Sequence, residues 1–247
     1  MSLENDSLKI YDSVASKAGV VHSHTQNQWL IQENKDRNPP CLNDLTLTIQ
    51  GAVFSSFNEC IFKNMPNVTT DFSTQRNDFE CDGFSFVSKN GEERLCFVEL
   101  KSTFATQHIG KAIAQMTSSF FKFYSLASPI DVALFDKKIH FIVACQFFKN
   151  SDQRNWAANY ADKQTMLPET NMLAELLRGM IASGTNTATK EFALGEFYFD
   201  DLDAVPEGTE HRIKTFPYAQ KLKDLKINLT LVMTDSFGNS SASLNLN

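Results

Sequence analysis

The chain of 247 residues has no run approaching the roughly 18 consecutive apolar residues that a membrane-spanning helix needs. The start, Met1 to Asp6, has no basic stretch followed by an apolar one, so no secretory signal is expected. The five cysteines are scattered and odd in number, and none forms a Cys-x-x-Cys pair. Cys60, Cys96 and Cys145 stand in apolar segments. Cysteine as a small core residue in a reduced, cytoplasmic setting is the expectation. There is no glycine-rich phosphate loop, which argues against a nucleotide triphosphatase, and no internal repeat. The five histidines show no zinc-ligand spacing; His22-x-His24 is the nearest approach. Asp200-Asp201-x-Asp203 lacks the glycine and the distant glutamate of an EF-hand loop. The formal charge of −6 argues against a protein that coats nucleic acid non-specifically, because phosphate affinity comes from Lys and Arg. It leaves room for a local basic surface. Residues 211–226 hold five basic residues against Asp224 alone, a stretch that fits either solvated surface or phosphate contact.

What is present is an ordinary globular composition, 42% hydrophobic and 21% charged, in a chain long enough for a real core. Most of the 21 phenylalanines sit in apolar runs and read as core. Residues 1–40 are polar and predict a short helix or a loosely packed arm. From Leu42 a helical period runs through Leu45, Ile49, Ala52, Val53, Ser56 and Cys60, predicting a helix; the Thr/Leu alternation at 45–49 leaves a strand open at its start. A strand is expected near Val68–Phe72. Asn90-Gly91 between two alternating apolar runs predicts a β-hairpin over 79–101, because both residues tolerate positive φ. Residues 106–125 predict a helix with Ile109, Ala112, Ile113, Met116, Phe120 and Phe123 on one stripe and His108, Lys111, Gln115 and Ser119 on another. Ile139–Phe148 reads as a strand buried on both faces. Thr170–Ile181 reads as an amphipathic helix ended by Gly184. Strands are expected at Glu191–Phe199 and Ile227–Thr234, with a small, polar tail from Ser236 free to fray.

The hairpin carries the chemistry. A two-residue loop at Asn90-Gly91 sets partners whose numbers sum to 181, placing Asp82 opposite Glu99 and Glu80 opposite Lys101. With a strand period of two, Asp82, Phe84 and Phe86 share a face with Phe97, Glu99 and Lys101. Two carboxylates facing each other repel, unless a cation lies between them. A hard divalent ion takes oxygen ligands of this kind, from Asp82, Glu99 and the Leu100 carbonyl. Lys101 is then placed to orient an attacking water or to stabilise developing charge.

Asp82 with Glu99-Leu100-Lys101, the apolar lead-in Phe97-Val98 and the helix that follows resembles the PD-(D/E)XK, restriction-endonuclease-like nuclease superfamily over about residues 42–148. The resemblance implies an α/β fold: a core of about 42–150 with a central mixed β-sheet flanked by helices, and a C-terminal α+β extension over 151–247 for specificity or assembly, all in one nuclease domain. It implies Mg²⁺ or Mn²⁺ held by Asp82, Glu99 and Leu100, an extra acid at Glu59 and an orienting glutamine at Gln115. Cys81 replaces the proline of the family name, and Ser119 stands where some branches have tyrosine. The implied activity is metal-dependent hydrolysis of DNA, with RNA also open, by an endonuclease of restriction or antiviral-defence type. No membrane association is expected. A homo-oligomer or a subunit of a complex is. The competing expectation is a non-catalytic or ligand-activated subunit of the same fold, acting as a binding or assembly module.

Overall fold

The computed structural model describes residues 26–32, 45–57, 81–127, 137–164, 172–196 and 224–246. Eight strands and three helices follow in chain order: β1 (Gln26–Gln32), β2 (Thr46–Phe57), β3 (Gly83–Lys89), β4 (Glu92–Lys101), α1 (Thr106–Ala127), β5 (Lys138–Cys145), α2 (Ser151–Gln164), α3 (Met172–Ser183), β6 (Thr187–Ala193), β7 (Lys226–Met233) and β8 (Ser241–Asn245). The architecture is α/β.

The hairpin register is the expected one. Gly83 pairs with Val98, Phe84 with Phe97 and Lys89 with Glu92. The turn has φ of 54° at Asn90 and 79° at Gly91, the positive values that a two-residue loop of this type requires. The sheet order is β1-β2-β3-β4-β5-β7-β6, with β8 beside β2. β2, β3 and β4 form an antiparallel meander, β5 and β7 run parallel to β4, and β6 returns antiparallel to β7. Among the described residues, α1 is the crossover that joins β4 to its parallel neighbour β5, as a parallel pair demands.

The strand β2 contradicts the helix expected over 42–60. Leu45, Leu47 and Ile49 are fully buried, while Thr46 and Thr48 are half-buried and Gln50 exposed. That alternation has period two. The i, i+4 spacing of Leu45 and Ile49 suits a strand equally well, and Thr46, Thr48, Ile49 and Val53 are β-branched. β2 also changes partner along its length. Residues 46–50 pair with β8 and residues 52–57 with β3. Gly51 sits at the change, with φ of 156° and no room for a side chain: an added Cβ would lie 2.8 Å from Val87 Cγ1.

This fork gives the main sheet a different cover on each face. One face, carrying Phe84, Phe86, Phe97, Phe141, Leu229 and Leu231, packs on the helices through Met116, Phe120, Phe123, Leu176 and Leu177. Phe97 makes edge-on contacts with Phe120, Phe123 and Phe141 at 5.6–6.0 Å between ring centroids. The other face, with Val87, Cys96, Val98, Leu100, Ile142, Ala144 and Val232, packs on Trp29, Ile31, Leu45, Leu47, Ile49, Leu244 and Leu246. A small sheet of β1, the first half of β2 and β8 therefore closes it.

Three more expectations need correction. The tail does not fray: β8 runs parallel to β2 from Thr46↔Ser241 to Gln50↔Asn245, and the Leu246 carbonyl accepts from buried Arg94 Nη1 at 3.3 Å. The strand expected at Glu191–Phe199 lies earlier, at Thr187–Ala193, with a turn at Leu194. Residues 151–247 are also no separate extension, because β7 hydrogen-bonds between β5 and β6 within the main sheet. α1, β5, α3 and β7 match their expected positions, and Gly184 ends α3 with φ of 65°. The helix or arm expected over residues 1–40 is represented by β1 alone; the remainder of it, the strand near Val68–Phe72 and the Asp200–Asp203 cluster lie outside the described residues.

The role of β8 has a measurable consequence. Leu244 is 6% exposed and plugs the face closed by the small sheet. Leu244→Ala is expected to cost about 2–3 kcal/mol of stability by urea denaturation. Loss below about 0.5 kcal/mol, the ordinary range of surface substitutions, would show that the tail is not part of the core.

Candidate active site

Asp82, Glu99, Leu100, Lys101 and Gln115 meet at the carboxyl end of β4. Phe84 and Phe97 bury their rings between sheet and helix, and the strand period then puts Glu99 and Lys101 on the same, α1-facing side. On α1, Ile109, Ala112, Ile113, Met116, Phe120 and Phe123 are all buried, which turns Gln115 and Ser119 toward the strand end.

Hydrogen bonds fix Asp82 and the residue before it. The Asp82 N–H donates to Glu99 Oε2 at 3.1 Å. Its Oδ2 accepts from the Leu100 N–H at 2.6 Å. The preceding Cys81 N–H donates to Ser119 Oγ at 2.9 Å. Ser119 is fully buried. A serine at this point of the helix thus ties the chain entering the site to α1, a role the sequence reading did not give it. Its spacing of four residues from Gln115 is the signal that was available.

Lys101 Nζ donates to Glu99 Oε1 and, at 3.0 Å, to Gln115 Oε1. Its side chain is 16% exposed and that of Glu99 only 2%. Burial, and next the charge of Asp82, push the Glu99 carboxyl up to about 8, against the lowering effect of Lys101. The Cys81 thiol is pushed up to about 12, chiefly by burial, and stays protonated.

The oxygen-rich donor set suits a hard divalent cation. Two carboxylates share one strand end, against the single ammonium of Lys101. The Leu100 N–H points at Asp82, and in an extended strand the carbonyl of the same residue shares that edge. Asp82, Glu99 and the Leu100 carbonyl are therefore the groups that would hold Mg²⁺ or Mn²⁺. No group of three or more His, Cys, Asp or Glu side chains is present among the described residues. Glu59, the expected third acid, lies outside them, as does Glu80.

The remaining candidates separate. His108 is half-buried, with Nδ1 3.2 Å from Thr103 Oγ1, and Lys111 is exposed; both lie on the first turns of α1, beside the site. Of the basic stretch 211–226, only residues 224–226 are described. Lys226 opens β7, level with Lys138 and Arg94 across the parallel strands. Seven residues of strand, about 23 Å, separate that level from Lys101. The described end of the basic stretch is thus at the opposite edge of the sheet from the site. His140 also belongs to the sheet interior: burial, then the nearby charges of Arg94 and Lys138, push it down to about 4, so it is neutral.

No helix among the described residues is long and apolar enough to cross a membrane. No protein-family model matches the chain, no curated protein is recognisably similar to it, and no solved structure matches it.

Proposed function

We propose that the chain is a metal-dependent phosphodiester hydrolase, a nuclease of the restriction-endonuclease-like type acting on DNA, with Asp82, Glu99, Lys101 and Gln115 as its working residues. The observation that carries this reading is the pair of hydrogen bonds that Lys101 Nζ donates to Glu99 Oε1 and Gln115 Oε1, directly beside Asp82. A surface lysine paired with one carboxylate would need no second acceptor from a helix. The β3-β4 hairpin, the α1 crossover and parallel β5 fit the hairpin–helix–strand part of the arrangement that the resemblance implies and lend it support, whereas β2 stands where the resemblance implies a helix. The position is also the one where open α/β sheets bind ligands, outside the carboxyl ends of parallel strands.

Asp82, Glu99 and the Leu100 carbonyl would hold the cation. When bound, the cation lowers the pKa of a coordinated water and offsets charge on the phosphate. Glu99 and Gln115 hold the Lys101 ammonium in one place. From there it hydrogen-bonds the attacking water and stabilises charge developing on the non-bridging phosphate oxygens. Gln115 fixes that position without adding charge, which leaves the ammonium available to the substrate.

The test is a cleavage panel of supercoiled, linear and single-stranded DNA and RNA, with Mg²⁺, Mn²⁺ or EDTA. Wild type is expected to cut at least one member in a metal-dependent way. Lys101→Ala is expected to lose about 10²–10³-fold in rate, the usual cost of removing one transition-state donor. Cutting by Lys101→Ala at the wild-type rate would refute the assignment. A folded wild type that cuts nothing under any of these conditions would favour the assembly-module alternative.

A further inference from the structure

Trp156 lies beside this site without serving the core. The chain has two tryptophans. Trp29 is 1% exposed and packs inside, whereas Trp156 is 43% exposed. It sits on α2, a polar helix in which Ala157 and Ala161 are the residues buried against the rest of the molecule. Its ring stacks on Tyr160, one turn further on, with centroids 5.1 Å apart and planes 23° apart. It also meets Phe104 at 6.4 Å. Phe104 is 3% exposed and rests edge-on against Phe148 at 5.0 Å.

This aromatic group is fixed relative to the catalytic strand. Phe104 follows Lys101 by three residues, at most roughly 11 Å of chain. Gln153 Nε2 donates to the Phe104 carbonyl at 2.7 Å, and Asn150 Oδ1 caps the helix by accepting from Gln153 N–H at 2.9 Å. Trp156 lies one turn along from Gln153 on α2 and reaches the strand end through its contact with Phe104. Lys111 lies on α1, and Lys149 and Arg154 lie at the start of α2. All three are exposed, and none has an ion-pair partner among the described residues. At the opposite edge, Arg94, Lys137 and Lys138 are each paired with Glu92 or Glu93.

A supported, exposed aromatic face on the same side of the chain as the site, with exposed cations on α1 and at the start of α2, matches the chemistry of an unpaired polynucleotide strand. The cations follow phosphates while the ring stacks on a base, and every base offers a π-face. A closed duplex keeps its bases stacked on one another and offers such a ring nothing to stack on. We infer that Trp156 is a nucleobase-stacking residue and that the site takes a single-stranded polynucleotide. The inference rests on the nuclease reading and names its substrate class.

The test uses the full chain carrying Lys101→Ala, so that binding is read without cleavage, in Mg²⁺. The probes are oligo-dT, oligo-U and a DNA duplex of equal length. Oligo-dT or oligo-U is expected to quench tryptophan fluorescence. Adding Trp156→Ala is expected to abolish the quenching and weaken single-strand binding about tenfold or more, with duplex binding unchanged. Trp156→Phe, which keeps a ring, is expected to restore most of the affinity. Single-strand binding that is unaltered by Trp156→Ala, or a duplex bound more tightly than either oligomer, would overturn the inference while leaving metal-dependent cleavage intact. Absence of both nucleic-acid binding and cleavage would overturn this inference and the nuclease reading together.

Discussion

Asp82→Asn is expected to remove phosphodiester cleavage, by at least about a thousand-fold, while leaving the fold in place. The two halves of that expectation have different origins. Structurally, Asp82 is an acceptor for the Leu100 N–H and a backbone donor to Glu99. An asparagine carbonyl still accepts from Leu100, and the backbone N–H is untouched, so the strand end keeps its geometry. Chemically, the substitution removes one of the two carboxylates that would hold the cation. A neutral amide oxygen is a weaker ligand for a hard divalent ion. Without it, neither activation of water nor charge neutralisation on the phosphate is supplied. Cleavage assays beside circular dichroism check both halves. Wild-type cleavage by a folded Asp82→Asn protein would show that the reaction, if any, is elsewhere.

The second large effect is one of stability, and it runs opposite to activity. Glu99→Gln is expected to abolish the proposed cleavage and, in EDTA at alkaline pH, to make the chain more stable than wild type. The carboxyl of Glu99 ordinarily titrates near 4.5, and in the folded chain it is raised to about 8 by burial and by Asp82. The folded state therefore keeps a proton that the unfolded state has released. Stability from this group is fully present below 4.5 and is lost as pH rises through about 8. Each pKa unit corresponds to about 1.4 kcal/mol, so the alkaline cost amounts to a few kcal/mol. Glutamine has no proton to lose. It gives up one of the two acceptor oxygens that serve Asp82 N–H and Lys101 Nζ, a charge-assisted bond worth about 1.5–3 kcal/mol, against the few kcal/mol gained. Urea midpoints in EDTA across this pH range should fall for wild type and stay flatter for the variant, with the curves crossing. Parallel profiles would contradict a buried Glu99 carboxyl that keeps its proton in the folded chain. Added Mg²⁺ should stabilise wild type at alkaline pH and leave Glu99→Gln little changed.

Much of the site was legible because its signals are local. Asn90-Gly91 fixes the hairpin register, and the register alone brings residue 82 to residue 99. The helical period of α1 then sets Gln115 toward Lys101. The strand β5 is legible as an unbroken apolar run, because parallel strands with cover on both faces have no polar side. What stayed hidden depends on distant partners. β2 places Leu45 and Ile49 at a spacing that a helix also satisfies; the small sheet that buries alternate residues decides between them. β1 buries Trp29 and Ile31 within a run of glutamines, too few apolar residues to declare a strand. β8 has only Leu244 in its span and Leu246 just beyond, and it exists because β2 offers a free edge beside Gly51. α2 buries two alanines, which leaves little amphipathic pattern, and its clearest sign is the Asn150 cap. In the sequence Ser119 shows as a member of the polar stripe with Gln115 and as a serine where some branches of the resembled family have tyrosine. Its function is a bond to Cys81 N–H, 38 residues away in the chain, which no local pattern encodes.

The measurement that bears most directly on the account is calorimetric titration of Mn²⁺ and Mg²⁺ into wild type and into Asp82→Asn. The account predicts saturable binding to wild type, and loss of that binding in a variant whose circular dichroism is unchanged. No binding by folded wild type, or equal binding by both proteins, would contradict a cation site between Asp82 and Glu99.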